Sequence, residues 1–200
     1  QGRIPDGRGH VALDEFAPGE FDDVDAVQFV ACGTSYHAAL YARQFLLDRG
    51  IPSNVHSAGE YATNPPPLDE DTLVVGVTQS GETADTLASL RHAKAAGART
   101  LAVTNVVGST AAREFDDALF IRAGPEIGVA ATKTFSSQVV TLALLAEQLT
   151  RDRIGSYSDS LETLLAGLEA LPDQLESVLG TNDVAHLMEG YRDQDAYFFI

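Results

Sequence analysis

Leu73-Val74-Val75-Gly76-Val77-Thr78-Gln79-Ser80-Gly81-Glu82-Thr83-Ala84-Asp85-Thr86 is the stretch that decides the fold. Its first five residues form an apolar, valine-rich run, the pattern of a strand buried on both faces. From Glu82 onward helical spacing takes over, with Leu87 and Leu90 on one side. A strand that stops at hydroxyls and glycine and restarts as a helix leaves backbone N–H groups free at the helix N-terminus. Those groups and the helix dipole both favour negative charge. Thr78, Ser80 and Thr83 add hydroxyl donors and Gln79 an amide. The turn contains neither Lys nor Arg, which sets it apart from a Walker-type nucleotide loop and suits a small phosphate monoester. A helix cap needs one hydroxyl, and this turn has three.

Upstream, Ala26–Ala31 reads as the first strand, followed by Cys32-Gly33-Thr34-Ser35 and a helix from about Tyr36 to Asp48. Gly50-Ile51-Pro52 ends that helix. Asn54–Ser57 reads as a short second strand, and Tyr61–Asp71, with three consecutive prolines, as a loop. Leu73–Val77 is the third strand and Thr83–Ala96 its helix. Thr100–Thr104 is the fourth strand, Ser109 caps a short helix to about Phe115, and Ala118–Arg122 is the fifth strand. After a loop over Gly124–Ala131, a long helix is expected from about Thr132 to Thr150. An amphipathic helix over Ser158–Leu179, interrupted by Pro172, and a short one over Asn182–Gly190 complete the pattern.

Strands alternating with helices imply right-handed βαβ units. The expected fold is α/β: a doubly wound, five-stranded parallel sheet in the flavodoxin-like order 2-1-3-4-5, with helices on both faces. In that order the switch point lies between strands 1 and 3. The two loops leaving those strands are Cys32–Ser35 and Thr78–Thr83. Fold rule and loop chemistry thus converge on one crevice.

The chain has 200 residues, 44% hydrophobic, with 29 acidic and 13 basic side chains and a net charge of -16. Such a charge disfavours nucleic acid and anionic membranes as partners. No apolar run is long enough to span a bilayer, and the expected location is the cytoplasm. Cys32 is the single cysteine, so no internal disulfide can form. Lysine occurs twice, at Lys94 and Lys133. An acidic surface poor in lysine is the pattern of proteins from high-salt environments; plain solubility is the alternative reading.

Cys32 has no obvious base nearby and reads as a small pocket-lining residue. Gly33 lets the backbone approach a ligand. Thr34 and Ser35 can cap a helix, touch a ligand, or do both. Glu82 sits in a helix's first turn, where a structural pairing is favoured over base catalysis beside a phosphate. Lys133 could form an imine with a sugar carbonyl, but its helix position suggests that it holds Glu126. His37, His56 and His92 lack metal-ligand spacing, so no metal and no cofactor is assigned.

Ala31–Tyr36, Thr78–Thr86 and Glu126–Lys133 together resemble the sugar isomerase (SIS) family, and within it the isomerase half of the glucosamine-6-phosphate synthases. The resemblance implies that Thr78, Gln79, Ser80 and Thr83 bind the sugar phosphate. Cys32, Gly33, Thr34 and Ser35 would line the sugar site, with Val129 contacting the sugar from the third loop. Ala131, in the same loop, stands where many relatives carry serine. The resemblance further implies fructose 6-phosphate and glucosamine 6-phosphate as ligands, a glutaminase domain and a second SIS subdomain in the parent chain, and a homodimer. The family's ring-opening, proton-shuttling and imine-forming groups lie in the second subdomain or the tail, so no catalytic residue is assigned here. The expected organisation is a linker or N-terminal arm over 1–25, SIS subdomain 1 over 26–157, and connecting helices over 158–195. Residues 196–200 would open a truncated second SIS subdomain, which makes the chain a fragment. A sugar-phosphate deglycase, an aldose–ketose isomerase or a non-catalytic sugar-phosphate sensor are the alternatives.

Overall fold

A computed structural model describes residue 3 and residues 9–128, 131–181 and 184–196, with only the backbone of 184, 185 and 187. The chain divides into two compact units, Gln1–Leu161 and Glu162–Ile200. The first holds a five-stranded parallel sheet in the order β2-β1-β3-β4-β5, as expected. The strands are β1 (Ala26–Ala31), β2 (Ser53–Ser57), β3 (Thr72–Thr78), β4 (Arg99–Thr104) and β5 (Asp117–Phe120). In register, Phe29 faces Val55 on one side and Val75 on the other, and Val75 faces Leu101. Every residue of β3 is buried, which explains its unbroken apolar reading.

Helices cover both faces. Helices α2 (Ala58–Thr63), α3 (Ala84–Ala95) and α4 (Thr110–Glu114) lie on one side. There Tyr61, Leu87, Leu90, Ala93, Ala111 and Phe115 pack with Val30, Val74 and Ala102. Period-2 alternation turns Phe29, Val75, Leu101 and Val103 to the other side. On that side α1 (Gly33–Asp48) lies over β1, β2 and β3, and α5 (Lys133–Ile154) packs along α1. Gly76 permits the close approach of α3: a Cβ there would stand 2.4 Å from Leu90 Cδ1.

Helix α5 is buried on all sides from Thr141 to Thr150. The described residues of the arm, 3 and 9–25, pack against the helix: Val11, Leu13, Phe21 and Val24 are buried, and Arg3, Gly19 and Val11 bond to Thr141, Asp152 and Tyr157. Arg3 donates to Phe120 O at 2.5 Å and to Thr141 Oγ1 at 3.5 Å, and pairs with Glu15. Gly19 N donates to Asp152 Oδ1, and Tyr157 Oη bonds both backbone polar groups of Val11. Glycine and proline in this arm make turns across a packed surface. Helices α1 and α5 are also joined by a buried ion pair between Arg49 and Glu147, to which Ser158 adds two hydrogen bonds.

Three local expectations need correcting. Tyr61–Thr63 belongs to α2 rather than a loop. The prolines at 65–67 mask a helix whose Tyr61 anchors the core. The first helix starts at Gly33, three residues early, and Gly33 at its entrance takes a positive φ of 57°, which glycine adopts without steric cost. In the second unit, α6 (Leu161–Thr181) runs through Pro172 without a break. Proline forfeits one i−4 bond there, and leucine- and glutamate-rich turns on both sides carry the helix. Helix α7 (Val184–Glu189) follows. The strand expected over 196–200 falls largely outside the described residues.

Candidate functional site

Three chain segments meet above the carboxyl ends of β1 and β3 and enclose a cavity of about 310 Å³. The first contributes Cys32, Gly33, Thr34 and Ser35, the second Thr78, Gln79, Ser80 and Thr83, and the third Glu126, Gly128 and Ala131. Of the residues expected at the site, nine therefore line one cavity; Val129 lies outside the described residues. A depression of about 440 Å³ lies between the arm and the later turns of α5, lined by His10, Asp14, Arg151 and Tyr157 among others. It is larger, but it sits toward the negative end of the α5 dipole and away from the switch point, so the smaller cavity is the better anion site.

The cradle residues owe their positions to the β3–α3 turn. Gly81 adopts φ +72°, and a Cβ there would fall 2.2 Å from Ser109 Oγ, so glycine is required sterically and conformationally. The turn is tied to the β4–α4 loop by Asn105 N donating to Gln79 O and Ala111 N donating to Gly81 O. Thr78 Oγ1, 2% exposed as a residue, accepts from Gly81 N and lies 3.0 Å from Thr83 Oγ1. Ser80 Oγ accepts from Glu82 N at 3.1 Å. Ser35 Oγ accepts from the buried Gln138 Nε2 at 2.9 Å. In Ser80 and Ser35 the protein occupies the acceptor side of the hydroxyl and leaves its proton to be donated. An acceptor-rich anion is the natural complement.

The helix ends agree. Thr83 is the N-cap of α3 and Cys32 that of α1, and neither side chain caps its helix. Their first-turn N–H groups are thus left open toward the cavity end of the sheet. Cys32 is a free, half-buried thiol. Helix α5 differs: Glu126 accepts from the backbone N–H groups of Thr132 and Thr134 and from both threonine hydroxyls. The Thr134 hydroxyl and backbone, then Thr132, pull its pKa down to about 2. This corrects the expected Glu126–Lys133 pair: two threonines hold Glu126, and no ion pair joins it to Lys133 among the described residues. The sequence carries no standard cap signal for this bond, because the carboxylate lies six and eight residues before the threonines and reaches them across a loop.

Glu82 is turned away from catalysis. Its Oε1 accepts from Thr110 N at 2.7 Å, capping α4, and that bond lowers its pKa. His56 bonds Gln28 Oε1, and burial lowers its pKa. It also stacks edge-on against Tyr61, as does His92.

The SIS domain family matches residues 20–148. A cavity at the switch point of a doubly wound sheet, lined by hydroxyls, is the arrangement of a small-ligand α/β domain, and the chain belongs to the SIS domain family. It is 50% identical over 202 residues to the glutamine–fructose-6-phosphate aminotransferase (isomerizing) of Halobacterium salinarum, covering 100% of this chain and 34% of that protein. The corresponding protein of Symbiobacterium thermophilum is 47% identical, with 100% and 33% covered. The C-terminal domain of glucosamine-fructose-6-phosphate aminotransferase from Francisella tularensis superposes with a TM-score of 0.85 at 30% identity, over 94% of this chain and 54% of that one. Glucosamine-6-phosphate deaminase from Thermotoga maritima superposes at 0.65 with 27% identity, over 81% and 50%. This chain spans about a third of the length of the curated relatives it matches.

Proposed function

We propose that this chain is the sugar-phosphate-holding part of an isomerizing glutamine–fructose-6-phosphate aminotransferase. The carrying observation is similarity along all of the chain to relatives of that one name. In this reading the parent protein converts fructose 6-phosphate and glutamine to glucosamine 6-phosphate and glutamate. Thr78, Gln79, Ser80 and Thr83, with the open α3 N-terminus, hold the phosphate. Cys32, Gly33, Thr34 and Ser35 line the sugar, with Val129 and Ala131 on the third side. The chemistry at the sugar's first two carbons needs a base within about 3 Å of the transferred proton. No group among the described residues is assigned to it, since Glu82 caps α4 and Glu126 caps α5. A glutaminase domain, a second SIS subdomain, a homodimeric partner and a cytoplasmic setting belong to the same reading. Among the described residues no helix is long and apolar enough to cross a membrane.

Calorimetric titration of the full-length protein with fructose 6-phosphate tests the reading. Ser80→Ala and Thr83→Ala should each weaken binding by roughly 1.5–3 kcal/mol, the value of one hydrogen bond to a charged group. Unchanged affinity in both variants moves the phosphate elsewhere. The likeness to the deaminase structure favours a second reading, amino-sugar-phosphate deamination. Glutamine-dependent formation of glucosamine 6-phosphate separates the two, since a deaminase releases ammonia without using glutamine.

A further inference from the structure

Glu126 is the one carboxylate among the described residues that line the cavity, and no Lys or Arg joins it there. The cradle thus receives an anion with hydroxyls and open N–H groups alone. The carboxylate stands in the wall formed by the loop before α5. That helix packs with α1, on the face of the sheet opposite α3. Lys133 is exposed and is not part of the lining. Four hydrogen bonds from Thr132 and Thr134 fix the carboxylate in place.

We propose that Glu126 sets the charge specificity of the cavity, admitting a sugar with one phosphate at the cradle and rejecting one with a second phosphate at its other end. The inference rests on the sugar-phosphate reading above and adds the residue that limits the ligand's charge. Two effects act in the same direction. The carboxylate repels a second phosphate directly. It also occupies the N–H groups of α5, which would otherwise form a second anion site. A like charge about 5 Å away, screened as near a protein surface, costs about tenfold or more in affinity.

The test uses the full-length protein and titrates fructose 6-phosphate and fructose 1,6-bisphosphate into wild type and Glu126→Gln. Wild type should prefer the monophosphate by about tenfold or more. Glu126→Gln keeps the side chain's shape and one acceptor oxygen, and should narrow that preference about fivefold or more while still binding the monophosphate. Raising KCl from about 0.1 to 1 M should narrow the wild-type preference too, because screening weakens repulsion and leaves a steric barrier intact. Equal binding of the two sugars by wild type overturns the proposal. So does a preference that the variant leaves unchanged. Salt also screens the chain's net charge of -16, so the variant is the deciding arm. If Glu126→Gln does not fold, Glu126→Asn, which also removes the charge and keeps an acceptor oxygen, takes its place, and an unchanged preference there overturns the proposal. Failure of wild type to bind fructose 6-phosphate at all instead overturns the sugar-phosphate reading.

Discussion

At the scale of single residues, hydroxyls line the cavity, and those of Ser35, Thr78 and Ser80 already accept from the protein. Thr78, Ser80 and Thr83 were readable as one hydroxyl-rich turn because three hydroxyls exceed what a cap needs, and all three line the cavity. What the sequence could not display is direction. Glu126 and Lys133 sit close in the chain with opposite charges, yet the carboxylate turns to the N–H groups and hydroxyls of Thr132 and Thr134. Helix geometry wins because a carboxylate at a helix N-terminus gains several hydrogen bonds, whereas an exposed ion pair gains little. The pH dependence follows in sign. The folded-state pKa of Glu126 is about 2 against an ordinary 4.5. Its stabilisation is therefore complete above about 4.5 and is lost as pH falls through 2. Melting temperatures taken from pH 5 to 2 should fall more steeply for wild type than for Glu126→Gln. Parallel curves would refute the capping role. Glu82, whose pKa is lowered by Thr110, titrates in both proteins and cancels in the comparison.

At the scale of elements, strands and strand order were legible because a parallel sheet buried on both faces writes itself as valine-rich runs separated by helical spacing. Helix α2 and the packed arm were not. Their signal is swamped by proline and glycine, and their burial depends on partners far along the chain. The same holds for the Arg49–Glu147 pair: neither residue announces that 98 positions of sequence close into one contact. Glu147 is fully buried, and Arg49 is its cationic partner. Removing either alone leaves a buried charge unmatched, at a cost of about 3–5 kcal/mol. Glu147→Ala should therefore lower the urea midpoint markedly. The double variant Arg49→Met, Glu147→Leu should recover much of the loss, as apolar replacement of a whole buried pair commonly does. A double variant as unstable as the single one would mean that the lost hydrogen bonds to Ser158 and Ser160, rather than the unmatched charge, set the cost.

At the scale of the whole molecule, the dominant quantity is a net charge of -16 on 200 residues. Arginines spend their charge locally: Arg99 pairs with Glu20 and Asp117, Arg91 with Glu114, and Arg153 with Asp25. The remaining carboxylates repel one another, which opposes compaction until salt screens them. The melting temperature should rise between low and molar KCl; a flat or falling profile would remove the case for adaptation to high salt. Helix α5 brings time into the picture. Its bonds to Arg3, Ser35 and Arg49 span 138, 103 and 98 residues. Until it arrives, the sheet face holding Phe29, Val75, Leu101 and Val103 has α1 alone for cover. At about 5–20 residues per second, a ribosome needs roughly 2–9 s to progress from the end of β4 to the end of the buried stretch of α5. For that interval the nascent chain carries a half-finished apolar face, the state in which a chaperone rather than the native contacts keeps it from sticking.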